Sequence, residues 1–212
     1  MRGFLITFEG TEGSGKTTII ESILQMLLSN GYDAIKTREP GGSIISEEIR
    51  QTILDPKNIQ MDAKTEALLY AASRRQHLIE VILPAIEQHK IVLCDRYIDS
   101  SLAYQGWARG IGVDEVYILN QFAIHEQMPD LTLYIDVRPE VGLSRICTNH
   151  RKQDRLDMES LSFHQLVYEG YEDVLRRFPK RVVRINGEQF LDKVTHDAHI
   201  ALLSFLETHY EL

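Results

Sequence analysis

The stretch Phe4-Leu5-Ile6-Thr7-Phe8-Glu9-Gly10-Thr11-Glu12-Gly13-Ser14-Gly15-Lys16-Thr17-Thr18 decides the architecture of this chain. Phe4 to Phe8 is a short apolar, β-rich run, and Thr17 to Ser29 carries the periodicity of an amphipathic helix. Between them Gly10 to Thr17 spell Gly-x-x-x-x-Gly-Lys-Thr. The glycines let backbone N–H groups turn inward on a polyphosphate, at the positive end of the following helix. In that pattern Lys16 reaches the β- and γ-phosphates, and the Thr17 hydroxyl is a ligand of Mg²⁺. A strand that feeds such a loop, with the loop opening into a helix, predicts βαβ units around a parallel sheet.

The rest of the chain extends that pattern. Further β-rich runs lie at Tyr32 to Thr37, the weakest of them, and at Ile91 to Cys94, Leu131 to Val137 and Val182 to Ile185. Most are near-continuous in apolar residues, as parallel strands covered on both faces should be. Helical periodicity fills the intervals at Lys64 to Gln88, Asp114 to Ile124, Phe163 to Phe178 and Leu191 to His209. The expectation is an α/β chain with a doubly wound parallel sheet. No Pro/Gly/Ser-rich linker or repeat interrupts it, so residues 1–212 read as one domain. Cys147 to Asp157 stands apart as polar, cationic and short of apolar anchors, which predicts a surface loop or a mobile lid.

Composition narrows the function classes. The 23 Lys+Arg against 31 Asp+Glu give a net charge of −8, a poor basis for sequence-independent nucleic-acid binding. With 43% hydrophobic and 25% charged residues, the chain reads as an ordinary globular protein. Cys94 and Cys147 are isolated in the sequence, which argues against a disulfide framework or a cysteine zinc site and fits a reducing cytosol. The apolar start is too short for a signal sequence, and no run is long enough to span a bilayer.

A phosphate loop alone is compatible with a GTPase switch, an ATPase motor or a small-molecule kinase. The chain contains neither the Asp-x-x-Gly nor the Asn-Lys-x-Asp string that a GTPase needs. At the end of another β-rich run Asp95 is suited to holding Mg²⁺ through water, and Arg96 puts a cation where two phosphate groups would have to meet. Tyr70 and Arg74 share a helix face at i, i+4, and Ser101 and Gln105 repeat that spacing. An aromatic plate, a guanidinium fork and an amide make a plausible nucleobase slot. An ATP-hydrolysing switch or assembly protein would leave that constellation unexplained.

These motifs, taken in order, resemble the bacterial thymidylate kinases. The resemblance runs through FEGTEGSGKTT at 8–18, TREPGG at 37–42, EALLYAASRRQHL at 66–78, DRYIDSSLAYQGWARGIG at 95–112, PDLTLYIDV at 129–137 and DRLD at 154–157. It implies a three-layer P-loop kinase fold, with a five-stranded parallel sheet flanked by helices and a short mobile lid at about 145–157. It also implies a cytoplasmic homodimer acting on ATP and dTMP with Mg²⁺, with no nucleic-acid or membrane partner. Gly10, Thr11, Glu12, Gly13, Ser14, Gly15, Lys16, Thr17 and Thr18 would hold ATP. The donor base would lie between Arg145 and the turn at Asn186-Gly187.

On the acceptor side the resemblance implies that Tyr70, where most bacterial relatives carry phenylalanine, stacks on thymine. Arg74 would donate to the O4 edge, with Ser101 and Gln105 near N3 and O2. Arg38, Arg50 and Arg96 would surround the acceptor phosphate, beside Glu39 and Pro40. Tyr104 would lie against the sugar, and Glu12 would meet its 3′-hydroxyl. Lys16, Asp95, Arg96 and Arg151 would carry the chemistry, with Thr17 and Asp95 at the metal. Since the phosphate loop holds Glu12-Gly13-Ser14 and no arginine, the chain looks like the type whose extra arginine comes from the lid, where Arg151 and Lys152 stand. Arg155 either contributes there or only anchors the lid. Arg75, Arg109 and Arg138 read as surface or structural ion pairs, and the eight histidines as uninvolved.

Overall fold

The β-rich runs form one parallel sheet of strands β1 (Phe4–Glu9), β2 (Ala34–Arg38), β3 (Ile91–Asp95), β4 (Leu131–Asp136) and β5 (Val182–Asn186). The computed structural model describes residues 2–148 and 154–209, and the strand order is β2-β3-β1-β4-β5. That order changes direction at β1, the position where open α/β sheets leave a crevice beyond their carboxyl ends. Phe8 is in register with Asp95, so Glu9-Gly10 and Asp95-Arg96 leave the sheet side by side.

The helices are α1 (Lys16–Ser29), α2 (Ile44–Leu54), α3 (Ala63–His77), α4 (Leu83–Glu87), α5 (Ile98–Ser101), α6 (Val113–Ile124), α7 (Pro139–Thr148), α8 (Leu161–Arg177) and α9 (Leu191–His209). Alternation within β1 separates two cores. Ile6 and Phe8 pack with Ile19, Ile23 and Leu27 of α1 and with Ala198 and Leu202 of α9. Leu5 packs on the opposite face with Tyr70 and Ala71 of α3, Val116 of α6 and Val167 of α8. By the same two-residue period Thr7 and Glu9 face the α3/α8 side, and there they find polar partners. Thr7 Oγ1 is 2.7 Å from Thr132 Oγ1.

Two helical expectations change. Lys64 to Gln88 is one periodic run in sequence, but α3 gives way to a π-helical turn at Leu78–Ile82 before α4. Pro84 has no N–H, and its ring crowds the carbonyl four residues earlier, so the chain widens there. A second π-helical stretch, Leu102–Ala108, carries Gln105 and ends with Arg109 N donating to Tyr104 O at 2.8 Å. Helix α8 packs closely on it at Gly170, where a Cβ would stand 2.8 Å from Ala103 Cα. Helix α2 escapes the periodicity argument because Ile44 and Ile45 at its start are exposed.

Candidate active site

The loop from Gly10 to Gly15 fills the crevice between the end of β1 and the start of α1. Gly13 has φ +70°, and a Cβ there would come within 2.1 Å of the Gly142 carbonyl oxygen on α7, so the turn admits only glycine. Thr11 Oγ1 donates to Val137 O at 2.8 Å. The buried Lys16 Nζ donates to Gly10 O, Thr11 O and Ser14 Oγ, each at 3.0 Å, which engages all three ammonium protons. Burial, and after it Arg96, presses the Lys16 pKa down to about 8 against the pull of Asp95, Glu12 and Glu9.

At the mouth of the loop Thr17 Oγ1 donates to Asp95 Oδ2 at 3.2 Å. Among the described residues no cluster of three or more His, Cys, Asp or Glu could hold a metal. A hydroxyl beside one carboxylate is nevertheless the sparse hard-oxygen set that Mg²⁺ uses when phosphates complete its shell. Arg96 follows with φ +68°, a conformation that turns its guanidinium back over the loop. Its Nη1 donates to Gly10 O at 3.0 Å and to Ser100 Oγ and Tyr171 OH at 3.1 Å, and its Nη2 donates to Glu12 Oε1 at 2.7 Å. Tyr104 OH donates to the same Glu12 oxygen at 3.0 Å. Beneath this cluster the buried Glu9 accepts from Tyr97 N at 2.7 Å and from Tyr171 OH at 2.9 Å. Burial and the nearby Asp99 push the Glu9 carboxyl up to about 7, opposed by Arg96 and the hydrogen bonds.

A cleft of about 660 Å³ opens over these groups and runs toward α2 and α3. Glu12, Gly13, Ser14, Gly15, Lys16, Thr17, Thr18, Asp95, Arg96 and Arg145 line its loop end; Arg38, Glu39, Pro40, Arg50 and Tyr70 line the other. Arg50 Nη1 donates to Pro40 O at 2.7 Å, and Arg38 Nη2 reaches Glu47 Oε1 at 2.8 Å. Arg145 Nη2 donates to Gly187 O at 3.1 Å. Gly10 and Thr11 lie beneath the loop surface. Arg74, Ser101, Tyr104 and Gln105 are buried one layer behind the lining. Arg74 donates through Nε to Glu39 Oε2 at 2.7 Å, through Nη1 to Ser101 Oγ at 3.0 Å and to Asn120 Oδ1, and through Nη2 to Tyr97 O at 2.9 Å.

One cleft therefore joins a phosphate loop to a second, arginine-flanked recess floored by a tyrosine. The sequence model of the family described as thymidylate kinase matches residues 8–198, most of the chain. The chain belongs to the thymidylate kinase family. It is 56% identical over 207 residues to the thymidylate kinase of Oceanobacillus iheyensis, covering 97% of this chain and 92% of that protein. With the Clostridium novyi thymidylate kinase it shares 58% over 194 residues, 91% and 95% of the two chains. The crystal structure of the Ehrlichia chaffeensis thymidylate kinase superposes with a TM-score of 0.76 at 33% identity, covering 96% of this chain and 99% of that one. Thymidylate kinases are nucleotide kinases, and the parallel sheet with its phosphate loop is their P-loop kinase fold.

Several groups of this thymidylate kinase site have a part that their place in the sequence does not announce. Glu47 holds both Arg38 and the Gly42 N–H, the latter at 2.8 Å. His77 joins Glu39 Oε1 through Nδ1 at 3.0 Å and Thr37 Oγ1 through Nε2 at 2.6 Å, so one histidine braces the TREPGG turn from behind. Glu9 ends the apolar run of β1, and Glu66 and Tyr171 lie on the buried faces of α3 and α8, where nothing in their spacing marks a role. Arg75 donates to Ala123 O, and Arg138 makes a two-pronged pair with Glu188; both are structural contacts. Arg151 and Lys152 lie outside the described residues. Arg155 is buried, donating through Nε to Ile53 O at 2.7 Å and through Nη2 to Glu66. It closes the carbonyl end of α2, where a cation is favoured.

Proposed function

We propose that this chain, as one kinase domain, transfers the γ-phosphoryl group of ATP to the 5′-phosphate of dTMP, giving dTDP and ADP. The observation that carries this reading is one continuous cleft lined by Lys16 and Arg96 at its loop end and by Tyr70, Arg38 and Arg50 at the other. A phosphomonoester is already largely ionised at neutral pH, its second pKa being near 6, so the acceptor oxygen needs no general base. What remains is to bring two polyanions into line and neutralise the group in flight. Lys16, released from its loop acceptors, would turn to the β- and γ-phosphates. Arg96, held by Glu12 on one side and by Gly10 O, Ser100 and Tyr171 on the other, would present its remaining edge between donor and acceptor. Mg²⁺ bound near Thr17 and Asp95, partly through water, would supply charge neutralisation at the donor phosphates. Glu12, fixed by Arg96 and Tyr104, would meet the sugar 3′-hydroxyl.

Tyr70 would stack on thymine, with Arg74, Ser101 and Gln105 behind it reading the base edge. Because Arg155 is engaged by Glu66 and Ile53, the lid cation over the transferred group would be Arg151 or Lys152. A coupled ADP-release assay with ATP, Mg²⁺ and a panel of acceptors tests the assignment. dTMP should outrun thymidine, dUMP, dCMP and AMP, with dUMP trailing by the roughly 10–200-fold that one methyl group supports. ADP release that is indifferent to the acceptor would overturn it.

The homodimer finds support on α3 and α6, which pack side by side and expose Leu68, Ile118 and Phe122, the last at 86% exposure. Phe122→Glu should convert a dimer to monomers in sedimentation velocity; a wild-type monomer sinks this reading. Among the described residues no helix is long and apolar enough to cross a membrane. We place the enzyme in the cytoplasm with small nucleotides as its partners, and the net charge of −8 argues against nucleic acid.

A further inference from the structure

Glu66 stands in the first turn of α3, four residues before Tyr70, with its side chain 1% exposed. Its Oε1 accepts from Gln105 Nε2 at 2.8 Å and from Arg109 Nε at 3.3 Å. Its Oε2 accepts from Arg109 Nη2 at 3.2 Å and from Arg155 Nη2 at 2.5 Å. Burial raises the Glu66 carboxyl, but Arg109, the Gln105 amide and Arg155 outweigh it, and the net displacement is downward. With two guanidinium groups upon it the group is a carboxylate, which accepts hydrogen bonds and donates none. Only the –NH₂ end of Gln105 can face such a partner. The carbonyl end, Oε1, is left for the other side.

We propose that Glu66, without touching the acceptor, selects the class of pyrimidine by locking the Gln105 amide so that Oε1 is offered to the N3 position of the base. This rests on the reading of Tyr70, Arg74 and Gln105 as the base slot. Thymine and uracil carry an N3–H that donates to Oε1. Cytosine carries a bare N3, so two acceptors would oppose each other, and turning the amide over would only set Oε1 against the Glu66 carboxylate. Glu66 is therefore a positioning residue, and its influence is blind to the 5-methyl group that separates thymine from uracil.

Glu66→Gln replaces the acceptor-only carboxylate by an amide that both donates and accepts, which frees Gln105 to turn. The ratio of kcat/KM for dCMP over dTMP should rise about tenfold, the effect of relieving one opposed polar pair, while the dUMP to dTMP ratio stays as in wild type. Arg74 continues to disfavour the cytosine amino group in both proteins, so the change isolates the N3 position. A purely structural role would lower all acceptors together; unchanged ratios in a folded Glu66→Gln protein overturn the proposal. Gln105→Met separates the underlying reading, because it must itself erode the preference for dTMP over dCMP if Gln105 reads the base. Should Glu66→Gln fail to fold, the wild-type protein still decides. The Gln105 side-chain amide signal, identified by its loss in Gln105→Met, should stay protected from solvent exchange with dTMP bound, and exchange at the rate of surface amides overturns the lock.

Discussion

Arg96→Lys should lower kcat by about 10²- to 10³-fold, the effect of removing one preorganised donor from a charge-stabilising site, while dTMP affinity changes far less. The charge survives this substitution and the fork does not. Arg96 sends four hydrogen bonds in two directions, to Glu12 on one side and to Gly10 O, Ser100 and Tyr171 on the other, and its guanidinium sits 5.2 Å from the Tyr104 ring centroid. A lysine ammonium is a compact point charge on a flexible stem and cannot bridge those partners while facing a phosphate. Glu12 would then lose its clamp, so the sugar-facing carboxylate and the phosphoryl-facing cation would loosen together. Steady-state kinetics with ATP and dTMP, alongside calorimetric dTMP binding, separate the effects. A kcat within tenfold of wild type, or a loss confined to KM, sinks the role given to Arg96.

How much of this was legible in the sequence follows from the range over which each signal acts. The phosphate loop is local: its spacing, its preceding β-rich run and its following helix sit within one continuous stretch, and Gly10 to Thr17 fold as read. Strands β1, β3 and β4 are buried on both faces and announce themselves as apolar runs. Helix α2 does not, because its apolar Ile44 and Ile45 point outward. The interruption of α3 needed Pro84 to be weighed against an otherwise smooth helical pattern. Harder still were Glu9, Glu66, His77 and Tyr171, whose contacts span many residues; Tyr171 reaches Glu9 across 162 positions. Nothing about a glutamate one turn before a tyrosine says that two arginines from distant segments will converge on it. Arg155 shows the same limit. Its string permitted either a catalytic or an anchoring part, and only the carbonyl of Ile53 and the carboxylate of Glu66 reveal how it is engaged.

Lys16 provides the second large effect, and its sign can be worked out. In the free protein burial, then Arg96, holds its pKa near 8, so it is charged at pH 7 and largely neutral at pH 9. The phosphates of bound ATP favour the charged form and must raise that value. Below pH 8 binding finds the proton already in place; above it, binding has to take one up. ATP affinity should therefore fall roughly tenfold between pH 7 and pH 9, with net proton uptake appearing as the pH passes 8. ATP's terminal phosphate titrates below this window, and Glu9, near 7, completes its ionisation in the window's lower half, so the part of the fall between pH 8 and pH 9 is the part that belongs to Lys16. Calorimetry in two buffers of different ionisation enthalpy measures the uptake directly. Lys16→Met should abolish it and weaken ATP binding by about 10²-fold or more, since a buried charge pair loses one partner. Uptake that persists in Lys16→Met would assign the proton to another group, and a flat affinity from pH 7 to 9 would mean that Lys16 does not meet the phosphates.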